Sequence, residues 1–192
     1  CFHVIFIQND YQEILHLVKE ETLYMVDCGA NVGYTALYFA LHCPAIAIDC
    51  FEPDWSNYHQ ACKNLKSFST IQIHQKAIWH QKAQVKVVSG NFGNGGKWAL
   101  TVEECKPNEG VEALSLSEVL RTKQKTITFL KIDIEGAEKM LLNHPEGWIK
   151  QFNYLAIELH TPVIEQMYRD NVSKYQLQDL GVYGEMFVAK NT

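Results

Sequence analysis

The stretch "MVDCGANVGYTA", from Met25 to Ala36, constrains this chain more than any other. Apolar-leaning residues run into an acid, Asp27. Gly29, Asn31 and Gly33 then take alternate positions, and a strongly apolar segment follows. A strand that gives way to a helix through such a turn is the opening unit of a strand–helix repeat. Most turns of that kind need one glycine for a left-handed backbone. Two glycines with an acid in front call for a further reason.

The alternation continues along the chain. "DYQEILHLVKE" (10–20) predicts an amphipathic helix with Tyr11, Ile14, Leu15 and Val18 on one face. "TLYMVD" (22–27) predicts a strand, and "GYTALYFALH" (33–42), apolar nearly all round, a buried helix. "AIAIDCF" (45–51) is a strand without a polar face, as expected where helices cover both sides of a parallel sheet. "DWSNYHQACKNLK" (54–66) is a helix capped by Asp54, with Trp55, Tyr58, Cys62 and Leu65 as its inward stripe. "TIQIHQ" (70–75) is a short strand. "AQVKVVS" (83–89) and "WALTVEE" (98–104) alternate like an antiparallel pair around the glycine-rich "GNFGNGGK" (90–97), which reads either as a mobile flap over the acceptor side or as a plain hairpin tip. "SLSEVL" (115–120) carries a capping box, Ser115 with Glu118. Buried strands follow at "TITFLKID" (126–133) and "NYLAIELH" (153–160). Short helices come after each, and "EMFVAK" closes the chain as a strand. Repeated units of this length predict a doubly wound, mostly parallel α/β sheet with helices on both faces. No repeat or linker divides it: a helical segment over 1–21 precedes one domain over 22–192.

Sheets of this kind bind ligands outside the carboxyl ends of their strands. Asp27, Glu52, the 76–79 segment, Asp133 and Glu158 all fall at or just past expected strand ends, so they should converge on one rim. A net charge of -5 and a pI near 5.9 argue against a general nucleic-acid binder, whose affinity comes largely from Lys and Arg on phosphates, and leave a small nucleic-acid substrate open. No apolar run reaches the roughly 20 residues that span a bilayer. The six cysteines form no C-x-x-C pair and read as small buried thiols of a reducing compartment, which places the protein in the cytoplasm. The chain begins at Cys1, so a targeting segment upstream would not be visible.

A dinucleotide would use G-x-G-x-x-G, but the spacing here is G-x-N-x-G, and an acid beside the turn is a poor neighbour for pyrophosphate. A phosphate loop fails as well, since Lys97 is followed by Trp98. S-adenosyl-L-methionine fits better. An acid at the first strand end suits its positive end, glycines allow close approach, and Glu52 at the second strand end can accept both ribose hydroxyls.

"VDCGANVGYTALYFA", "FEPD", Ala77-Ile78, "FLKIDIEGAE" and "LAIELH", in that order, resemble the FkbM-type methyltransferases. The resemblance implies a seven-stranded class I methyltransferase sheet. It also implies transfer of a methyl group from S-adenosyl-L-methionine to a hydroxyl of a small molecule, a sugar or a secondary metabolite. It puts Asp27, Gly29, Asn31, Gly33, Glu52 and Pro53 on the donor, Ala77 and Ile78 beside its adenine, and Asp133 near the methyl group. The family often has an acid soon after the position of Ala77, where this chain has Trp79 and His80, and Asp where it has Ser117.

An alcohol attacks only as its proton leaves, so a base within hydrogen-bond reach is needed. Asp133, Glu158 and His160 are the candidates, with Glu135 beside them. Facing carboxylates there would raise a pKa or hold a divalent ion, though no metal site is assigned. Glu135 and Glu138 have a second reading as solvated acids at a helix start. The other histidines read as structural. Two alternatives remain: a dinucleotide-dependent oxidoreductase on the same architecture, and a catalytically silent binding module. The oligomeric state is not legible.

Overall fold

A computed structural model describes residues 2–8, 10–18, 24–89, 100–122 and 129–192. The 90–97 segment therefore lies outside the described residues. A π-helical turn, His3–Ile7, precedes α1 (Gln12–Val18). Then come β1 (Tyr24–Cys28), α2 (Tyr34–His42), β2 (Ala47–Phe51), α3 (Trp55–Leu65) and β3 (Ile71–His74). A smaller group follows: β4 (Ala77–Trp79), β5 (Ala83–Ser89), β6 (Leu100–Glu104) and β7 (Val111–Ser115). The chain then forms α4 (Leu116–Thr122), β8 (Phe129–Ile132), α5 (Glu138–Asn143), β9 (Tyr154–Glu158), α6 (Pro162–Lys174), β10 (Gln178–Tyr183) and β11 (Met186–Lys190).

The main sheet has seven strands in the order β10-β11-β9-β8-β1-β2-β3. The five from β9 to β3 run parallel, while β11 is antiparallel to both β9 and β10. The chain winds outward from β1 through β2 to β3, then returns to β8 on the other side of β1. That reversal opens a crevice at the carboxyl ends of β1 and β8. Both faces of the sheet are buried. Val26, Cys28, Leu130 and Ile132 enter one apolar cluster, while Met25, Ile48, Phe129 and Ala156 enter the other, as alternation along a doubly covered sheet requires. Tyr11, just before α1, and Ile14, Leu15 and Val18 within it are buried in the second cluster with Phe39 of α2.

Asp54 caps α3 by accepting the Asn57 amide at 2.9 Å. The inward stripe is shifted from the expected one: Ala61 and Leu65 are buried, Tyr58 and Cys62 half-buried, and Trp55 is 62% exposed. At 100° per residue, Trp55 lies roughly 70° off the centre of the face made by 58, 61, 62 and 65, which points it past the sheet. Ser115 ends β7 and its hydroxyl donates to the His80 carbonyl at 3.4 Å. The expected antiparallel pair is part of a four-stranded sheet, β4-β7-β5-β6, and β4, β7 and β10 were not anticipated from the sequence. Trp79 ties this sheet together by donating its indole N–H to Glu104 at 3.0 Å. Among the described residues, no helix is long and apolar enough to cross a membrane.

Candidate active site

The two glycines of the opening turn do different things. Gly29 has φ +79°, and a Cβ there would stand 1.7 Å from the Asp133 carbonyl oxygen, so the turn after β1 lies directly against the chain leaving β8. Gly33 has φ +82° and starts α2; a Cβ there would meet the Leu65 side chain at 2.8 Å. The first glycine lets two strand ends touch. The second lets two helices pack.

Glu52 ends the turn from the other side. Its carboxylate is buried and accepts the Asn31 amide on one oxygen and the Asp54 amide on the other, each at 2.8 Å. Burial pushes this carboxyl up to about 7, against the pull of those two amides. Each oxygen keeps a second lone pair for a ligand. A cleft opens beside it, walled by Pro53 and Phe51 at the β2 end, by Ala77 and Ile78 of β4, and by Val87 and Val102 of the small sheet. Gly29, Asn31, Asp133 and Glu135 line its inner end.

Those four residues also line a second cavity of about 200 Å³ on the other side of the turn. Tyr11, Tyr34 and Met186 supply its apolar wall, while Asp10, Glu158 and Glu185 add carboxylates. Lys131 reaches its floor. Of the residues singled out in the sequence, Gly29, Asn31, Glu52, Pro53, Ala77, Ile78 and Asp133 thus share one cleft, and Glu158 faces the adjoining cavity. Asp27, Gly33 and His160 line neither.

Asp27 is fully buried beneath the turn, opposite Lys131 in the β1–β8 register. The Lys131 ammonium stands 3.2 Å from Asp27 and 3.4 Å from Asp133, and donates to the Gly29 carbonyl at 2.8 Å. Burial opposes the charge on Lys131, but Asp27 and Asp133 outweigh it and hold its pKa well above the usual range. One buried cation therefore joins the acid before the turn, the turn itself and the acid after β8. Sequence reasoning missed Lys131, although a lysine inside the apolar strand "FLKI" was the available signal.

His160 sits behind Glu158. Its Nε2 is 3.3 Å from Glu135 and 3.4 Å from Glu158, and its Nδ1 is 3.4 Å from Glu138. Burial opposes a charged imidazole, but Glu135 and Glu138 lift its pKa to about 11. Burial, then Asp133, raises the Glu158 carboxyl to about 8. Glu138 is not a solvated helix-start acid: it is fully buried and accepts the Ile134 and Gly136 amides at 2.8 and 2.7 Å, closing the turn after β8. Within that turn Glu135 has φ +55°, so it leaves the strand alternation that would have set it beside Asp133.

The profile of the methyltransferase FkbM domain matches residues 27–179. The chain belongs to the FkbM methyltransferase family. Its structure is similar to that of an FkbM methyltransferase from Methylobacillus flagellatus KT, with a TM-score of 0.53 and 16% identity over 88% of this chain and 43% of that one. It is also similar to M. capricolum TrmK in complex with S-adenosyl-homocysteine, with a TM-score of 0.55 and 10% identity over 93% of this chain and 68% of that one. A methyltransferase from Geobacter sulfurreducens gives a TM-score of 0.54 and 13% identity over 96% and 78%. These likenesses establish a Rossmann-like class I methyltransferase fold. The chain spans less than half the length of the Methylobacillus protein. No curated protein sequence matches it significantly.

Proposed function

We propose that this chain transfers a methyl group from S-adenosyl-L-methionine to a hydroxyl of a small-molecule acceptor, a sugar or a secondary metabolite. The observation that carries the reading is the pairing of Glu52 with an apolar slot in one cleft that ends at Asp133. That donor set suits an adenosine: a carboxylate for the ribose hydroxyls, and Ala77, Ile78, Val87 and Val102 for the flat base. When bound, the donor supplies an already activated methyl group. The protein's share is then mainly positioning. Asp133, at the junction of cleft and cavity, holds the donor's positive end. Asp27 acts at one remove by fixing Lys131. The second cavity takes the acceptor, and Glu158, which faces it, is placed to receive the hydroxyl proton; His160 orients Glu158 from behind. The cytoplasmic setting belongs to the same reading, supported by free thiols at Cys28, Cys50, Cys62 and Cys105.

Calorimetry with S-adenosyl-L-methionine, its demethylated product and NADH tests the donor. Glu52→Ala should weaken donor binding by about 1.5–3 kcal/mol, the loss of hydrogen bonds to a charged acceptor. Binding of NADH with no binding of the methyl donor would sink the proposal. The Glu52 pKa of about 7 adds a pH signature. The ribose bonds need the ionised carboxylate, so affinity should be full above pH 7 and fall as pH drops, by about tenfold for each unit below the pKa. Glu52→Gln should bind weakly and with a flat profile between pH 6 and 8. A wild-type profile that is equally flat would remove Glu52 from the ribose.

Asp133→Asn keeps the shape and removes the charge. With an acceptor found by screening hydroxylated metabolites, turnover should fall by about tenfold to a hundredfold, the range of one charge-assisted contact. Normal turnover by this variant would mean that Asp133 does not meet the donor.

A further inference from the structure

We propose a divalent transition-metal site formed by His160, Glu158, Glu135 and Asp133 at the acceptor end of the cavity. One ligand atom each of Asp133, Glu158 and His160 lies within 4.8 Å of the other two. The spacing around His160 is the more telling observation. Its Nε2 stands 3.3 Å from one Glu135 oxygen and 3.4 Å from one Glu158 oxygen. A charge-assisted N–H···O bond closes to about 2.7–2.9 Å, and one N–H shared by two carboxylates points squarely at neither. Two ligands on a tetrahedral ion with bonds of about 2.0–2.1 Å are instead separated by about 3.3–3.4 Å. The atoms stand at the edge length of a coordination polyhedron rather than at hydrogen-bond length.

The other ring nitrogen supports this. Nδ1 faces Glu138, which is fully buried and held rigidly by the Ile134 and Gly136 amides. An ion at Nε2 displaces the proton there to solvent, while the proton on Nδ1 stays beside Glu138. Asp133 brings a carboxylate oxygen within 4.8 Å of ligand atoms of both His160 and Glu158 from the cavity side. The imidazole among carboxylates selects Mn²⁺ or Zn²⁺ over Mg²⁺ or Ca²⁺, which prefer all-oxygen sets. Asp133, Glu135 and Glu158 line the acceptor cavity, so an ion among them would meet an acceptor oxygen and favour loss of its proton. Glu158 would ligate through the oxygen beside His160 and keep its other oxygen to receive that proton. Ion binding itself does not depend on methyl transfer.

The test uses the full chain, stripped with a chelator and titrated separately with MnCl₂ and ZnCl₂. Calorimetry gives the stoichiometry, and the electron paramagnetic resonance signal of free Mn²⁺ gives an independent count. One ion per chain is expected, with affinity reduced at least about tenfold in Glu158→Gln and in His160→Gln. Circular dichroism checks the fold of each variant, and Glu158→Gln, on a half-buried residue at the cavity wall, carries the test where His160→Gln folds poorly. Glu112→Gln, whose carboxylate pairs with Lys76 on the small sheet, should bind as the parent does. Absence of stoichiometric binding at millimolar Mn²⁺ and Zn²⁺, or equal binding by parent and Glu158→Gln, overturns the proposal.

Discussion

Gly29→Ala should cost more than about 3 kcal/mol of stability and leave little folded protein in mild urea. A left-handed backbone angle alone costs a non-glycine residue about 1–2 kcal/mol. Here the added Cβ would also stand 1.7 Å from the Asp133 carbonyl oxygen and 2.8 Å from its carbon, and both belong to backbone. Neither side can yield easily: the Asp133 amide donates to the Cys28 carbonyl at 3.0 Å, and the Gly29 amide donates to the Phe51 carbonyl, also at 3.0 Å. Two further glycines calibrate the effect. Gly33 has nearly the same φ, but its obstacle is the end of the Leu65 side chain at 2.8 Å, which can rotate, so Gly33→Ala should lose about 1–3 kcal/mol. Gly181, with φ +97° and nothing within 4 Å, should lose only the conformational term of about 1–2 kcal/mol. Urea denaturation of the three variants measures the order directly. Equal losses would show that the contact between the turn and the β8 end does not decide the cost.

The same comparison shows where sequence reasoning reached and where it stopped. Asp54 was legible as a cap because capping is local: the acceptor and the Asn57 amide are three residues apart. Asp27 and Glu52 look alike in sequence, each an acid at a strand end. Only tertiary structure separates them. Asp27 faces Lys131 across a strand pair formed by residues more than a hundred positions apart, whereas Glu52 faces the cleft. Glu138 sits where a helix-start acid would normally be solvated, and spacing alone cannot say that it turns back to take two amides. Two missed strands have a simple cause. β10 is an edge strand with no residue fully buried, so it carries no alternating apolar signal. β4 is three residues long, below the length at which periodicity is visible. The inner strands β1, β2, β8 and β9 were readable because they are buried on both faces and therefore mostly apolar.

Lys131→Met should destabilise the protein by about 3–5 kcal/mol, the usual cost of removing one partner of a buried ion pair. Methionine matches the lysine stem in length but brings no charge. Asp27, fully buried, would lose the ammonium at 3.2 Å, and the Gly29 carbonyl would lose its donor at 2.8 Å. Asp27→Asn should cost less, since Lys131 keeps Asp133 at 3.4 Å and the Gly29 carbonyl. The double variant removes both buried charges and should recover much of the loss, with a coupling of about 2–3 kcal/mol between the two sites. Urea denaturation of the four proteins at one pH gives that coupling, and strictly additive losses would show that Asp27 and Lys131 do not act as a unit. Donor binding then separates neutralising Asp27 from holding the turn. In the double variant nothing replaces the bond from Lys131 to the Gly29 carbonyl, so the product of the donor should still bind several-fold more weakly than to the parent. Full recovery of binding along with stability would leave Lys131 only the task of neutralising Asp27.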